Sequence, residues 1–265
     1  MHRLRRYARL LAVRLHTSLT LSVQYRFDFL VEGALALLWL AITVIPLIIV
    51  FGKRASVAGW TYPEALVVVG FFSLLKAVLD GAVTPSLTAI TDDVRKGTLD
   101  FVLLKPADAQ FIVSTARFEP WRIVDFLGSL AILVYAFHLL GRAPNLAQVA
   151  AGSVLFLVAV VLLYSIWILI VAVSLRVVKV DNLSYLFISI FDAGRWPIQV
   201  FKGVLRVVFT AVFPLALMTT YPAQALLGTL GALPAALTLV GALLFATAAR
   251  TLWKRALRHY TSASS

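Results

Sequence analysis

Residues 148–175 read QVAAGSVLFLVAVVLLYSIWILIVAVSL, which is 28 residues without a single charged side chain. About 20 apolar residues in an α-helix are enough to cross the roughly 30 Å hydrocarbon core of a bilayer, because each residue advances the helix by about 1.5 Å. The segment therefore predicts a membrane-spanning helix rather than a helix of a soluble domain.

Comparable apolar runs recur along the whole chain. Hydrophobic residues make up 61% of the 265 positions and charged residues 14%, whereas about a quarter of an average soluble domain is charged. No polar block is large enough to form a soluble domain, so residues 1–265 are predicted to form one membrane domain. The further predicted spans are residues 29–51, 64–83, 121–140 and 232–252.

The region between residues 183 and 230 is irregular. Its apolar runs are short, and prolines interrupt them, beginning with the motif GRWP at residues 194–197. Broken backbone at membrane depth is tolerated only inside protein or beside a water-filled cavity. We therefore predict half-membrane helices and a re-entrant hairpin over residues 195–230 on the outer side. The predicted fold class is an all-α integral membrane protein with six transmembrane helices.

The N-terminal residues 1–28 are strongly basic. Apolar side chains recur there at helical spacing and arginines fill most of the remaining circumference, which predicts an amphipathic helix lying in the membrane interface. A disordered basic tail is the alternative interpretation. A cleaved signal peptide is not expected, because no small-residue cleavage site precedes the first span. The apolar positions are Leu4, Ala8, Leu11, Leu15 and Leu19.

Lysine and arginine are distributed unevenly around the predicted spans. Of the 24 basic residues, 17 fall at the proposed inner ends and loops and 6 on the outer side. Because positive charge is enriched in cytoplasmic segments, both termini and residues 84–120 are predicted to be cytoplasmic. Anionic lipid headgroups account for the net charge of +12, so nucleic acid is not an expected partner.

The sequence lacks the residue patterns of enzymes that act in membranes. His-Glu-x-x-His and Gly-x-Ser-x-Gly are absent, as is cysteine, so a zinc protease, a serine hydrolase and a thiolate site are not indicated. The phosphate-binding pattern Gly-x-x-x-x-Gly-Lys-Ser/Thr is absent too. We predict no catalytic residue and no metal site, and expect any energy from a nucleotide to come from a partner.

Three charged residues fall inside or close to predicted spans. Lys76 and Asp80 are four residues apart, so they share a helix face and can pair, and Glu32 is a second possible partner. Ionisable groups inside a membrane often mark a transport path. A structural role is the alternative, because Lys76 can extend its ammonium group toward the headgroups.

The predicted inner loop contains the patterned stretch TDDVRKGTLDFVLLKPADAQF at residues 91–111. Gly97 is expected to end one helix, and Thr98 to cap a short amphipathic helix with an apolar face that includes Leu99 and Leu104. Such a helix can lie in the headgroup layer or dock into a groove of another protein. The residues alone favour neither.

Residues 92–111, DDVRKGTLDFVLLKPADAQF, resemble the coupling helix between the second and third spans of ABC transporter type-2 permeases. Residues 194–227, GRWPIQVFKGVLRVVFTAVFPLALMTTYPAQALL, are similar to the re-entrant region before the last span of that family. The resemblance implies that the prolines Pro197, Pro214 and Pro222 line an outer gate. The positions that it implies contact an ATPase are Arg95, Lys96, Gly97, Thr98, Leu99, Leu104 and Pro106.

The resemblance implies the membrane subunit of an ATP-driven exporter in the bacterial cytoplasmic membrane. Such a subunit pairs with a second copy or a related permease and with two copies of a separate ABC ATPase, which binds ATP and Mg²⁺, while the permease itself binds no cofactor. Two alternatives stay open from the residues. One is an ion-coupled secondary transporter that uses Glu32, Lys76 and Asp80, and the other is a membrane scaffold that transports nothing. The substrate is not indicated.

Overall fold

The computed structural model describes residues 2–24, 26–174 and 181–258. Of these residues 84% are helical, and Arg176 and Lys179, two of the basic residues counted on the inner side, lie outside them. The α-helices are α1 (His2–Gln24), α2 (Arg26–Phe51), α3 (Tyr62–Val78), α4 (Thr84–Arg95), α5 (Leu99–Leu103), α6 (Ala109–Ser114), α7 (Ile123–Leu140), α8 (Leu146–Ser174), α9 (Asp181–Phe191), α10 (Gly203–Val207), α11 (Tyr221–Leu227) and α12 (Ala232–Arg258).

Shorter elements connect these helices. A two-stranded antiparallel hairpin of β1 (Ser56–Val57) and β2 (Trp60–Thr61) follows α2. The remaining short elements are 3₁₀ turns at Pro120–Arg122, Asp192–Arg195 and Ile198–Val200, and π-helical turns at Leu79–Val83, Val208–Val212 and Ala216–Thr220.

The described helices include five that are long and apolar enough to cross a membrane. A sixth crossing arises if Gly203–Val212 and Ala216–Leu227, which bend by 70° at their junction, form one broken span. The prediction of an all-α membrane protein is confirmed. The segment at 183–193 forms α9, whose 11 residues are too few to cross a bilayer. The five helices are Phe27–Phe51, Tyr62–Ile90, Pro120–Leu140, Leu146–Val173 and Ala232–Arg258.

The second span is longer than the sequence predicted. Residues 84–95 were assigned to a loop because they are polar, but they form α4, which continues α3 through the π-helical turn Leu79–Val83. Pro85 has no N–H to donate to the carbonyl oxygen of Gly81 one turn earlier. That carbonyl instead accepts a hydrogen bond of 2.8 Å from the backbone N–H of Glu119. The helix therefore passes the proline, and Glu119 is held against it.

The core lies around α3 and α8. In their most apolar windows 72% and 56% of the residues are buried within the chain, against 11% for α2 and 17% for α12. Helix α8 packs along α12, and α3 along α7. Because α2 and α12 are equally apolar but show most of their surface, these two helices carry the faces that contact lipid or a second membrane protein.

Candidate coupling segment and charged cavities

The segment between α4 and α6 begins with a helix break at Gly97, as predicted. Gly97 has a φ of +68°, a backbone conformation that favours glycine because a side chain would clash. The backbone N–H of Thr98 donates to the carbonyl of Asp93 at 2.8 Å, and the Thr98 hydroxyl donates to the Asp93 carboxylate at 2.8 Å. Thr98 precedes α5 but makes no side-chain cap for it. Its hydroxyl closes α4 instead.

The two leucines implied to contact an ATPase have opposite environments. Leu99 is 0% exposed and packs in the main hydrophobic core with Leu87, Ile90 and Val113. Leu104 is 80% exposed. In this structure the Leu99 side chain has no exposed surface to offer a partner, because it anchors α5 to the bundle.

Phe101, and not Leu99, is the exposed apolar residue of α5. It lies in α5 and is 69% exposed, so Phe101 and Leu104 together present the apolar surface of the segment. Lys96, Lys105 and Pro106 are exposed around them. Arg95 is the last residue of α4. We call residues 96–115 the coupling segment below.

Helix α1 holds the coupling segment from one side. The guanidinium of Arg6 donates to the Pro106 carbonyl at 2.5 Å, and the Tyr7 hydroxyl accepts from the backbone N–H of Asp108 at 3.1 Å. Arg14 donates to the Ile112 carbonyl. Arg14 also donates to the hydroxyl of Thr115 at 2.9 Å. The predicted helix α1 is present, and part of its arginine face binds protein.

Helices α12 and α8 hold the segment from the other side. Asp108 caps α6 by accepting from the N–H of Phe111, and its carboxylate accepts from both terminal nitrogens of Arg250, at 2.6 and 3.3 Å. Arg250 also donates to Gln110 at 2.6 Å. Gln110 in turn donates to the hydroxyl of Tyr164 at 3.0 Å.

The electrostatics of this junction favour the ionised carboxylate. The hydrogen bond from Arg250 is the largest cause that lowers the pKa of Asp108 below its ordinary value, and burial opposes it only in part. The ion pair with Arg250 therefore holds the coupling segment against α12 as long as Asp108 is ionised.

The intramembrane charges form ion pairs. The ammonium of Lys76 lies 3.3 Å from the carboxylate of Asp80, which is the pair that their spacing predicted. Glu32 does not join this pair. It is exposed, and its negative charge raises the pKa of Glu119. The other pairs are Arg122 with Asp125 at 3.0 Å, Arg122 with Glu119 at 3.8 Å, and Arg195 with Asp192 at 3.4 Å.

These charges line two cavities. The larger, of about 1050 Å³, lies beside the coupling segment between α1, α2, α4 and the 3₁₀ turn before α7. The smaller, of about 360 Å³, lies farther along α2 and α3. Asp80 and Arg122 line both, so the two cavities adjoin. Burial raises the pKa of Glu119, which lines the larger cavity, and nearby Asp80 and Glu32 raise it further.

The three prolines implied to line a gate are all buried. Pro197 precedes the 3₁₀ turn Ile198–Val200, and Pro214 lies at the 70° bend between Gly203–Val212 and Ala216–Leu227. Pro222 lies in the first turn of α11, where a proline is well tolerated. The structure brings them into one region and leaves their role as a gate a prediction.

Comparison with protein families decides the identity of this arrangement. The model of the family described as ABC-2 family transporter protein matches residues 37–264, which is most of the chain. The chain belongs to the ABC-2 transporter family. The resemblance stated from the sequence is thereby confirmed, and this ABC-2 permease is a multi-pass membrane transport protein. No curated protein and no solved structure matches it.

Several residues of the ABC-2 permease that the structure brings together were missed from the sequence. Asp108 and Arg250 are far apart in the chain, and Glu119 lay in the predicted inner loop at residues 84–120 with no role assigned to it. Two signals were available: Arg250 is a charge within an otherwise apolar span, and Asp108 follows Lys105-Pro106 at the position where helix caps commonly occur.

Proposed function

We propose that this chain is the membrane subunit of an ATP-driven exporter, working as a pair of permeases with two copies of a separate ABC ATPase. ATP and Mg²⁺ bind to the ATPase, and the permease supplies the path across the membrane. The proposal rests on membership of the ABC-2 transporter family together with the absence of a phosphate-binding loop from the sequence.

The exposed apolar pair Phe101 and Leu104 is the observation that carries the docking part of this proposal. Phe101 lies in α5 and Leu104 follows its last residue, and both side chains show more than two thirds of their surface. Lys96 and Lys105 flank them. Large apolar side chains surrounded by charge are typical of protein contacts. We assign them as the residues that enter a groove of the ATPase on the cytoplasmic side. The buried Leu99 anchors α5 to the permease.

The hydrogen bonds of the coupling segment supply a route for the movement. The segment is attached to α1 through Arg6 and Tyr7 and to α12 through Asp108 and Arg250. A displacement of the segment by closure of the ATPases therefore displaces several helices together. Rigid movement of packed helices between two arrangements then switches access from one side of the membrane to the other.

The remaining features agree with this assignment. With the coupling segment and both termini in the cytoplasm, most basic residues lie on the inner side, as membrane proteins prefer. Both termini can lie inside only if the chain crosses the membrane once more between α8 and α12, so the bent pair Gly203–Val212 and Ala216–Leu227 crosses as a sixth, broken span instead of turning back as a re-entrant hairpin. Pro197, Pro214 and Pro222 then shape this region as the gate, and the lipid-exposed faces of α2 or α12 meet the second permease.

Co-purification tests the proposal. The chain is purified from its native membranes in a mild nonionic detergent, and accompanying chains are identified by mass spectrometry. We expect an ATPase with a Gly-x-x-x-x-Gly-Lys-Ser/Thr loop in one copy per permease, and ATP hydrolysis by the complex but not by the isolated chain. Nucleotide binding by the isolated permease, or a complex without such an ATPase, would contradict it.

A further inference from the structure

The acidic residues of this chain are concentrated around the two cavities. The chain has 12 acidic and 24 basic residues. Seven of the acidic residues line one or both cavities, but only five of the basic ones do. The excess of acidic residues lies in the larger cavity, which five acidic and three basic residues line, whereas the smaller cavity has three of each.

Within the part of the chain that the structure describes, most of the basic side chains that line the cavities are already paired, whereas three of the carboxylates are not. Four of the five basic side chains already bind a carboxylate, a hydroxyl or a backbone carbonyl of the chain itself, and Arg117 is the fifth. On the larger cavity, the carboxylates of Asp28, Glu32 and Asp92 have no such partner among the described residues. A ligand that enters meets unpaired negative charge.

Two further groups in the wall of the larger cavity lack partners. The hydroxyl oxygen of Thr84 and the indole N–H of Trp121 are shielded from solvent and have no hydrogen-bond partner among the described residues. Buried polar groups are nearly always paired, so each of these two groups has unused hydrogen-bonding capacity beside the cavity.

The apolar walls indicate the shape of the ligand. Trp39, Leu40 and Ile42 of α2 line the smaller cavity opposite Phe72 of α3. Helix α2 shows most of its surface to the surroundings, so a ligand can enter from the lipid side. Aromatic faces attract organic cations; the indole of Trp39 offers such a face, whereas the ring of Phe72 already lies 5.7 Å from the guanidinium carbon of Arg195. Along α2, the lining from Glu32 to Thr43 extends by about 16 Å, roughly half of the hydrocarbon core.

We propose that the two cavities form the binding path for a lipophilic organic cation. The cation enters beside Glu32 and Asp92, and its apolar body moves along α2 past Asp80 toward Trp39 and Phe72. Ion pairs such as Lys76 with Asp80 keep the smaller cavity polar but without net charge. The cation therefore loses its water gradually, and no strong opposite charge holds it there. This inference names the substrate class of the exporter and rests on that proposed function.

Binding of tetraphenylphosphonium to the purified full chain tests the inference without any ATPase. Equilibrium dialysis in a nonionic detergent, corrected with empty micelles, measures its affinity, and tetraphenylborate is the anion of the same shape. We expect saturable binding of the cation with one site per chain and, measured separately, no saturable binding of the anion. Removing one nearby charge weakens such binding by about tenfold, so Glu32→Gln and Asp92→Asn should each do so.

The matched control is Glu64→Gln, which removes one negative charge from the chain far from both cavities and keeps the hydrogen-bond acceptor that caps α3. Its affinity should equal that of the natural chain. Unchanged elution on size exclusion shows that each variant is folded. Absence of saturable binding, equal binding of the anion, or full affinity in both cavity variants would overturn the inference. Each of these results leaves the co-purification of an ATPase untouched, so the two proposals fail separately.

Discussion

The carboxylate of Asp108 and the guanidinium of Arg250 lie 2.6 Å apart, although 142 residues separate them in the chain. Asp108 begins α6 in the coupling segment and Arg250 lies in α12. The contact is therefore a direct connection between the segment assigned to the ATPase and the last membrane helix.

Asp108→Asn isolates this ion pair, because asparagine still caps a helix. At neutral pH we expect a small loss of stability, no more than about 1 kcal/mol, since both side chains are more than a third exposed. The depressed pKa of Asp108 makes its contribution present above the ordinary value of 3.8 and lost as the pH falls through the folded value.

Thermal unfolding of the natural chain and of Asp108→Asn, measured between pH 7 and pH 3 in detergent, checks the sign. The two melting temperatures should differ at pH 7 and converge in acid. In the complex, the variant should still bind the ATPase but show weaker stimulation of ATP turnover by transport. Loss of ATPase binding with turnover per bound ATPase unchanged would show that Asp108 acts in docking and not in transmission.

Glu119 should behave in the opposite sense. Burial raises the pKa of its carboxyl above the ordinary value of 4.5, so the folded chain favours the protonated form. Stability from this group is complete below the ordinary value and is lost as the pH rises through the folded value. Glu119→Gln should therefore raise the melting temperature at pH 7 and leave it unchanged at pH 4. A variant less stable than the natural chain at pH 7 would contradict this.

Leu99→Ala should act on stability and not on docking. The side chain is completely buried in the main core, and truncation of such a leucine costs about 2 to 5 kcal/mol. We expect a clearly lower melting temperature, with ATPase binding retained by the folded fraction. Leu104→Ala is the matched control, because its exposed side chain leaves the melting temperature unchanged. Equal melting temperatures for Leu99→Ala and the natural chain would show that the burial is wrong.

The absence of cysteine from the sequence makes orientation directly measurable. Ser56 in β1 and Lys105 in the coupling segment are both exposed and lie at opposite ends of the second span. Single cysteines at these positions should differ toward an impermeant thiol reagent added to intact cells. We expect labelling of Ser56→Cys and none of Lys105→Cys until the membrane is opened. The reverse labelling pattern would show that the predicted orientation in the membrane is wrong.

The membrane spans could be predicted from the sequence because length and hydrophobicity alone determine them. The end of the second span could not, since α4 passes Pro85 with the freed carbonyl of Gly81 accepting from Glu119, a residue distant in the chain. Tertiary contacts of this kind leave no local pattern.

The candidate site shows the same division. Gly97 ended a helix as its residue type predicts, and Lys76 with Asp80 paired as their spacing predicts. The spacing of apolar residues in α5 predicted an amphipathic helix but not which of Leu99 and Phe101 faces the bundle. Only the packing of α5 on the core decides that.

The most direct test of the account is whether Phe101 and Leu104 bind the ATPase. Phe101→Ala and Leu104→Ala are compared with Leu146→Ala, which removes an equally exposed leucine from the opposite end of the permease. The quantity measured is the ATPase that co-purifies per permease, with membrane insertion confirmed by protease protection. Loss of a groove contact by each side chain is worth about 1 to 3 kcal/mol, so the account predicts a reduction of about fivefold or more for the two coupling variants and none for Leu146→Ala. Full retention of the ATPase by both coupling variants would contradict it.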